Sequence, residues 1–298
     1  MTAKIIDGLA IAREVRVGIA ARAEVLRARG ITPALSLIRV GDDPASGVYV
    51  RNKVRACADV GIQSEVVRLP ADVSEEALLD RIRTLNENPA IHGILVQLPL
   101  PAHIMPRHVL ETIAVEKDVD GFHLYNVGGL VIGQTVFPPC TPYGVQKILE
   151  HEGIELEGKN VTVVGASNIV GKPLALMLMQ REATVAICHA KTRDLAQYTI
   201  LADILVVAAG KPNLITAPMV HTGAVVIDVG INFLPDGRLV GDVDFEGVKE
   251  KASFITPVPG GVGPMTVTML LENTVGAAER AAGFRQVPAG QFESPLPV

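Results

Sequence analysis

Apolar residues recur at helical spacing over residues 11–29 and stop at Gly30, after which Pro33-Ala-Leu-Ser-Leu-Ile-Arg-Val40 is a continuous strand-like run. Asp42, Asp43 and Ser46 offer N-cap chemistry for a second helix, and Gly61 ends it. The pattern then predicts a strand over Glu65–Leu69, a helix over Ser74–Asn86 with acid in its first turn, and a strand over Gly93–Gln97. This βαβαβ alternation favours a parallel sheet. From Gly121 to Pro142 the periodicity disappears, and Gly128, Gly129, Gly133, Pro138, Pro139 and Pro142 mark the expected domain boundary.

Beyond that stretch the alternation resumes. A helix over about 143–152 leads to a strand at Asn160–Gly165 and a helix over 170–181. Strands follow at Thr184–Cys188, Ile204–Ala208, Ala224–Val229 and Ser253–Ile255, which predicts a second α/β unit. After Pro264 and a glycine cluster, residues 266–282 read as a closing helix, and Phe284 to Val298, with three prolines, as a loosely held tail.

Composition narrows the partners. With 298 residues, 48% hydrophobic and 20% charged, the chain can bury two ordinary cores. A net charge of -5, with Lys and Arg scattered singly, excludes a field for nucleic acid. Cys57, Cys140 and Cys188 lie far apart with no CxxC pair, so neither a metal site nor a disulfide framework is expected, and a reducing compartment fits. The N-terminus carries Asp7 where a secretory leader would have its apolar core, and no apolar run approaches membrane-spanning length. A soluble cytoplasmic protein with no membrane partner is expected.

Candidate nucleotide chemistry lies in the second half. The turn Gly165-Ala166-Ser167-Asn168-Ile169-Val170-Gly171-Lys172-Pro173 follows a strand and opens the apolar helix Leu174–Met179. Glycine there lets the backbone approach a pyrophosphate, and the helix N-terminus offers unpaired N–H groups. The turn departs from GxGxxG, with Ser167 in place of the middle glycine, and packing alone can also account for such glycines. The next strand ends Ile187-Cys-His-Ala190-Lys191-Thr, with no acid to bind ribose hydroxyls. Lys191 and Lys172 therefore favour NADP over NAD, the plainer alternative being two solvated lysines. Gly210 and Ile231 sit at the C-terminal ends of two further strands, the edge where open α/β sheets bind ligands, although tight turns also use such glycines.

Candidate reactive groups lie in the first half. Tyr49 and Lys53 are four residues apart on one helix face, while Val50, Val54 and Cys57 line another. The pair can present a stacking surface beside an amine, or simply be a half-buried tyrosine beside a solvated lysine. Strand Ile94–Val96 runs into Gln97-Leu98-Pro99-Leu-Pro101. A buried Gln97 needs hydrogen-bond partners, a lysine amine suits it, and Leu98–Pro99 is a candidate cis bond. Lys117-Asp118-Val-Asp120-Gly-Phe-His123 offers two acids in a loop, which could accept hydrogen bonds from an amino-heterocycle or form an ordinary turn.

These segments, with Gly165, Ser167, Val170, Gly171 and Pro173 and the run Thr256-Pro-Val-Pro259-Gly260-Gly261-Val-Gly-Pro-Met-Thr266, resemble the signature blocks of the methylenetetrahydrofolate dehydrogenase/cyclohydrolase (FolD) family. The resemblance extends to about Gly283. It implies two α/β domains with an active-site cleft between them, the C-terminal one a Rossmann-like doubly wound parallel sheet. It also implies a folate-binding domain of residues 1–140 with helix 266–283 returning to it, an NADP-binding domain of residues 141–265, a tail from 284, and a homodimer.

By the same resemblance Lys53 is the central catalytic group, Gln97 holds its amine, Tyr49 stacks on the folate and Asp120 binds the pterin. Leu98, Pro99, Pro259, Gly260 and Gly261 complete the substrate site. Gly165, Ala166, Ser167, Ile169, Val170, Gly171, Lys172, Lys191, Gly210 and Ile231 form the NADP site.

The implied substrates are tetrahydrofolate one-carbon derivatives. Methylene- is oxidised to methenyltetrahydrofolate, then hydrolysed to the 10-formyl compound, a step for which a partly desolvated lysine beside a cationic substrate can exchange a proton near neutrality. Ala166 and Ala190 stand where some relatives carry groups suited to a 2′-phosphate. Two other readings remain: a different two-domain NAD(P) dehydrogenase, and a nucleotide-sensing module without chemistry.

Overall fold

A computed structural model describes residues 2–284, and the tail expected from the sequence lies, past Phe284, outside the described residues. In chain order the elements are β1 (Lys4–Ile5), α1 (Gly8–Arg27), β2 (Ala34–Val40), α2 (Pro44–Asp59), β3 (Gln63–Leu69), α3 (Glu75–Glu87) and β4 (Gly93–Val96). Then come α4 (Pro106–Thr112), α5 (Leu124–Val131), α6 (Cys140–His151), β5 (Asn160–Val164), α7 (Gly171–Met179), β6 (Thr184–Cys188) and α8 (Ala196–Thr199). The chain closes with β7 (Ile204–Val207), β8 (Val225–Asp228), β9 (Asn232–Phe233), β10 (Leu239–Val240), α9 (Phe245–Lys249), β11 (Phe254–Ile255) and α10 (Val262–Ala281). Two compact units result among the described residues: Val15–Pro138 with the segment from Leu270 to Phe284, and the segment from Thr2 to Glu14 with Pro139–Met269.

The unit built on Val15–Pro138 holds a parallel sheet in the order β3-β2-β4. Helix α3 shows why its sequence folds as it does. The Ser74 hydroxyl accepts from Ala77 N at 3.2 Å, Glu75 and Glu76 sit by the positive end, and Leu78, Leu79, Ile82 and Leu85 form one buried stripe. That stripe packs with Ile38, Ile94 and Val96 of the sheet, and each such side chain contributes roughly 1.5–3 kcal/mol by leaving water.

Helix α5 lies inside the Gly/Pro-rich stretch that shows no period. It forms because the His123 ring caps it, accepting from Tyr125 N at 3.0 Å. Asn126 then anchors it, donating to Asp118 Oδ2 at 2.7 Å and accepting from Phe137 N at 3.2 Å.

The other unit holds a six-stranded parallel sheet in the order β1-β11-β8-β7-β5-β6. Central strands β7 and β8 are buried at every residue, which is why Ile204-Leu-Val-Val207 and Val225-Val-Ile-Asp228 read as unbroken runs and not as alternations. The two-residue β1 pairs with β11 and is too short to carry a pattern. Helix α10 begins at Val262, earlier than the predicted 266, because Pro264 falls in its first turn, where a missing N–H breaks no helix bond. Among the described residues no helix is long and apolar enough to cross a membrane.

Candidate active site

Helix α2 leaves the C-terminal end of β2, so its side chains face the edge of the sheet where β4 also ends. Lys53 Nζ donates to Gln97 Oε1 at 3.0 Å, and Gln97 Nε2 donates to Leu98 O at 2.8 Å. The second bond decides the first: with its NH2 engaged by Leu98, the glutamine presents its carbonyl to the amine. Gln97 N also donates to Ile38 O at 2.8 Å, continuing the β2–β4 ladder by one bond before the cis Leu98–Pro99 peptide turns the chain.

Tyr49 lies one turn before Lys53 on the same face, half-buried, and burial pushes its phenol above the ordinary value. One turn beyond Lys53, Cys57 is fully buried. Burial pushes its thiol up to about 12, against the opposing charges of Lys53 and Arg16, so the sulfur stays protonated and unreactive at neutral pH.

The two loop acids separate by burial. Asp118 is buried and its carboxylate accepts from His123 N at 2.8 Å and from Asn126 Nδ2 at 2.7 Å. Burial pushes its carboxyl up against those bonds. Asp120 is only half-buried, two residues further on. The loop is tied down beside it: Lys117 Nζ donates to the carbonyls of Leu85, Asn86 and Asn88, and Asn273 donates to Val119 O at 2.9 Å. A parallel bridge between Ile94 and Asp118 aligns the loop with β4, the strand that delivers Gln97. A cavity of about 1060 Å³ opens at the opposite, N-terminal edge of this sheet, lined in part by Thr32, Gln63 and His92, and it contains none of the expected site residues.

In the other unit β5, the turn after it and α7 stand in the order a nucleotide turn requires. Gly165 has φ +123°, and a Cβ there would lie 2.1 Å from Ala208 O. A Cβ on Gly171 would lie 1.9 Å from Gly165 O. Both positions are therefore closed to any side chain, and the turn keeps a bare main-chain face. Ser167 Oγ accepts from Val170 N at 3.1 Å and Gly171 N at 3.4 Å, which braces the turn ahead of α7 and explains a hydroxyl where the usual fingerprint has glycine.

Lys172 Nζ donates to Asn168 Oδ1 at 2.7 Å and is exposed, as are Ile169 and Ile231. Ala166 flanks the turn. Lys191 is exposed three residues past β6, where His189 N donates to Thr192 Oγ1 at 3.0 Å. Arg193, which no motif in the sequence marks, adds a second exposed cation to that turn. Gly210, with φ +66°, lies in the turn after β7. Pro259, Gly260 and Gly261 lie between β11 and α10, with Val258–Pro259 cis and Gly260 at φ +105°. Among the described residues no group of His, Cys, Asp and Glu could hold a metal ion.

A glycine turn between a parallel strand and a helix, with an acid-free next strand, defines a Rossmann-like dinucleotide-binding unit. Residues 139–282 match the family model described as tetrahydrofolate dehydrogenase/cyclohydrolase, NAD(P)-binding domain, and residues 6–120 match that family's catalytic domain. The chain belongs to the tetrahydrofolate dehydrogenase/cyclohydrolase family. It is 62% identical over 281 residues to the bifunctional protein FolD of Nitrosospira multiformis, covering 94% of this chain and 98% of that one. The solved FolD methylenetetrahydrofolate dehydrogenase/cyclohydrolase of Campylobacter jejuni is 51% identical with TM-score 0.92, over 93% of this chain and 99% of that one. The Trypanosoma brucei enzyme, solved with NADP cofactor and an inhibitor, is 41% identical with TM-score 0.91, over 95% and 99%.

Proposed function

We propose that this chain oxidises 5,10-methylenetetrahydrofolate with NADP and hydrolyses the resulting 5,10-methenyl compound to 10-formyltetrahydrofolate. The observation that carries the reading is the 3.0 Å bond from Lys53 Nζ to Gln97 Oε1, on a helix face that also carries Tyr49. Neither a hydroxy-acid or amino-acid dehydrogenase nor a chemically silent nucleotide sensor gives that pair a role.

The roles of the site residues follow from their chemistry. Tyr49 offers a ring to the flat pterin, Leu98 and Pro99 form the adjoining wall, and Asp120 accepts hydrogen bonds from the heterocycle's amino edge. Hydrolysis adds water to the cationic methenyl carbon, then breaks one C–N bond and releases a proton. Lys53, oriented by Gln97, transfers a proton between its Nζ and the water oxygen or the departing nitrogen.

The closed backbone of Gly165 and Gly171 fits a pyrophosphate at the start of α7, with Ala166, Ser167, Ile169, Val170, Gly210 and Ile231 around it. Lys172 and Lys191 answer the extra phosphate of NADP, for which NAD has no counterpart. When bound, NADP supplies the two-electron acceptor of the oxidation. Pro259, Gly260 and Gly261 belong to the substrate site. The unit of Val15–Pro138 is accordingly the folate domain, and the unit of Pro139–Met269 the nucleotide domain.

Two wider readings accompany this one. The three free cysteines, all buried, suit a cytoplasmic enzyme. Edge strand β6 exposes Ile187, and α8 and its end expose Tyr198, Ile200 and Leu201, apolar surface that a second copy would cover in a homodimer. Light scattering that returns a monomer mass contradicts the dimer. The function itself is tested by supplying methylenetetrahydrofolate with NADP and, separately, NAD, while reduced nicotinamide and methenyl absorbance are followed. Faster reduction of NADP is expected, and no reduction with either nucleotide overturns the reading.

A further inference from the structure

Two buried carboxylates at the C-terminal edge of the six-stranded sheet play no part in the chemistry above. Asp242 accepts four hydrogen bonds: from Ala209 N at 2.6 Å, Gly210 N at 2.9 Å, Lys211 N at 2.8 Å and Asn232 Nδ2 at 2.8 Å. Three successive N–H groups converging on one anion form a nest, the motif by which main chain commonly binds phosphate. Here the anion is the protein's own. It locks the turn after β7 in one conformation and joins it to Asn232, the first residue after the turn that follows β8.

Asp228 supports that arrangement from beneath. Its carboxylate accepts from Gly230 N at 2.9 Å, Asp242 N at 3.0 Å and Val243 N at 2.9 Å. Its own N–H donates to Thr256 Oγ1 at 2.7 Å, where the loop of Pro259, Gly260 and Gly261 begins. Two glycines make room for the acids. A Cβ on Gly230 would lie 2.4 Å from Asp242 Cγ, and one on Gly241 would lie 1.9 Å from Asp228 Oδ2. The locked turn also reaches the phosphate turn, because Ala208 O is the atom that closes Gly165 to a side chain.

We propose that Asp242, held by Asp228, is a positioning residue for nucleotide binding, which fixes the 208–211 turn and Asn232 relative to Gly165. The inference rests on the NADP-dependent function proposed above. A carboxylate is needed because all its partners are donors; an amide would turn an NH2 group against one side of the nest and leave buried N–H groups unsatisfied.

The test is a KM-against-kcat split in the full-length chain. Asp242→Asn is expected to raise the KM for NADP, and the NADP dissociation constant measured by calorimetry, about tenfold or more, with kcat at saturating NADP within about threefold of wild type. A merely structural acid lowers the active fraction and leaves the KM alone, so an unchanged KM overturns the inference. If Asp242→Asn does not fold, Asn232→Ala decides the same question. It removes one donor without stranding a buried charge, and a rise of about threefold in KM is expected, no rise being contrary. Wild type that reduces no nucleotide would instead sink the proposed function, so the two failures read differently.

Discussion

Around Lys53 the groups proposed to meet the folate are side-chain ends held by other side chains: an amine set by a glutamine carbonyl, a tyrosine ring one turn away, a carboxylate in a loop pinned by Lys117 and Asn273. Along the edge of the six-stranded sheet the proposed nucleotide site is a bare backbone face with empty glycine positions, its turns held from behind by Ser167, Asp228 and Asp242, which take the turn amides. The first arrangement suits proton transfer, which needs a titratable atom at a defined point. The second suits a dinucleotide, whose bulk must come close to the backbone. In the proposed function one chain thus sets side-chain chemistry against the folate and backbone geometry against the nucleotide.

That division can be pressed from the backbone side in order of expected effect. Asp228 is pushed up to about 6 from an ordinary 3.8, first by burial and then by the neighbouring Asp242 charge. A carboxyl raised on folding contributes stability that is present below the unfolded value and lost as pH rises through the folded one, here between about pH 4 and 6. The linkage amounts to about 3 kcal/mol. Melting temperatures of wild type and Asp228→Asn compared over that range should diverge, with only wild type carrying the downward slope toward neutral pH. Parallel curves would remove Asp228 as its source.

Gly165→Ala sets a methyl 2.1 Å from Ala208 O at φ +123°. NADP-dependent oxidation is expected to fall about tenfold to a hundredfold through the KM for NADP. A normal KM would mean that the turn does not face the nucleotide. Lys172→Ala has the smallest effect. The side chain is exposed and already bonded to Asn168, so the KM for NADP is expected to rise only about threefold, and less at high salt. An equal change in the KM for NAD would detach this lysine from the extra phosphate.

The side-chain site was the more legible of the two in the sequence. Tyr49 and Lys53 declare a shared face by spacing alone, and Gln97 stands out as an amide ending an apolar strand, so their juxtaposition with a hydrogen-bond partner could be anticipated. The cis Leu98–Pro99 bond is a candidate for the same reason, whereas the second cis bond, Val258–Pro259, sits in a proline- and glycine-rich run three residues past the two-residue β11, with no amide at the strand end to mark it. Of the fold, α3 shows its helical period and β2 and the central strands their unbroken apolar runs because their burial is regular. Elements held by particular bonds did not: α5 depends on His123 and Asn126, and β1 on pairing with a strand about 250 residues away.

Asp228 and Asp242 are not legible in the sequence for a related reason. Asp242 gathers amides from a turn some thirty residues distant and Asp228 from residues 14 and 15 positions on, and neither leaves a local pattern. Their only trace is a glycine near each, Gly230 two residues after Asp228 and Gly241 just before Asp242, and glycine close to aspartate reads first as a turn.

The most direct test of the account concerns the side-chain site, and it is the rate at which Lys53→Met hydrolyses methenyltetrahydrofolate in the absence of nucleotide. Methionine keeps the length and packing of the lysine stem and removes the proton-transferring amine. The predicted result is a loss of about three orders of magnitude, in the range expected when a general acid–base group is deleted. A rate equal to that of wild type would contradict the catalytic role of Lys53.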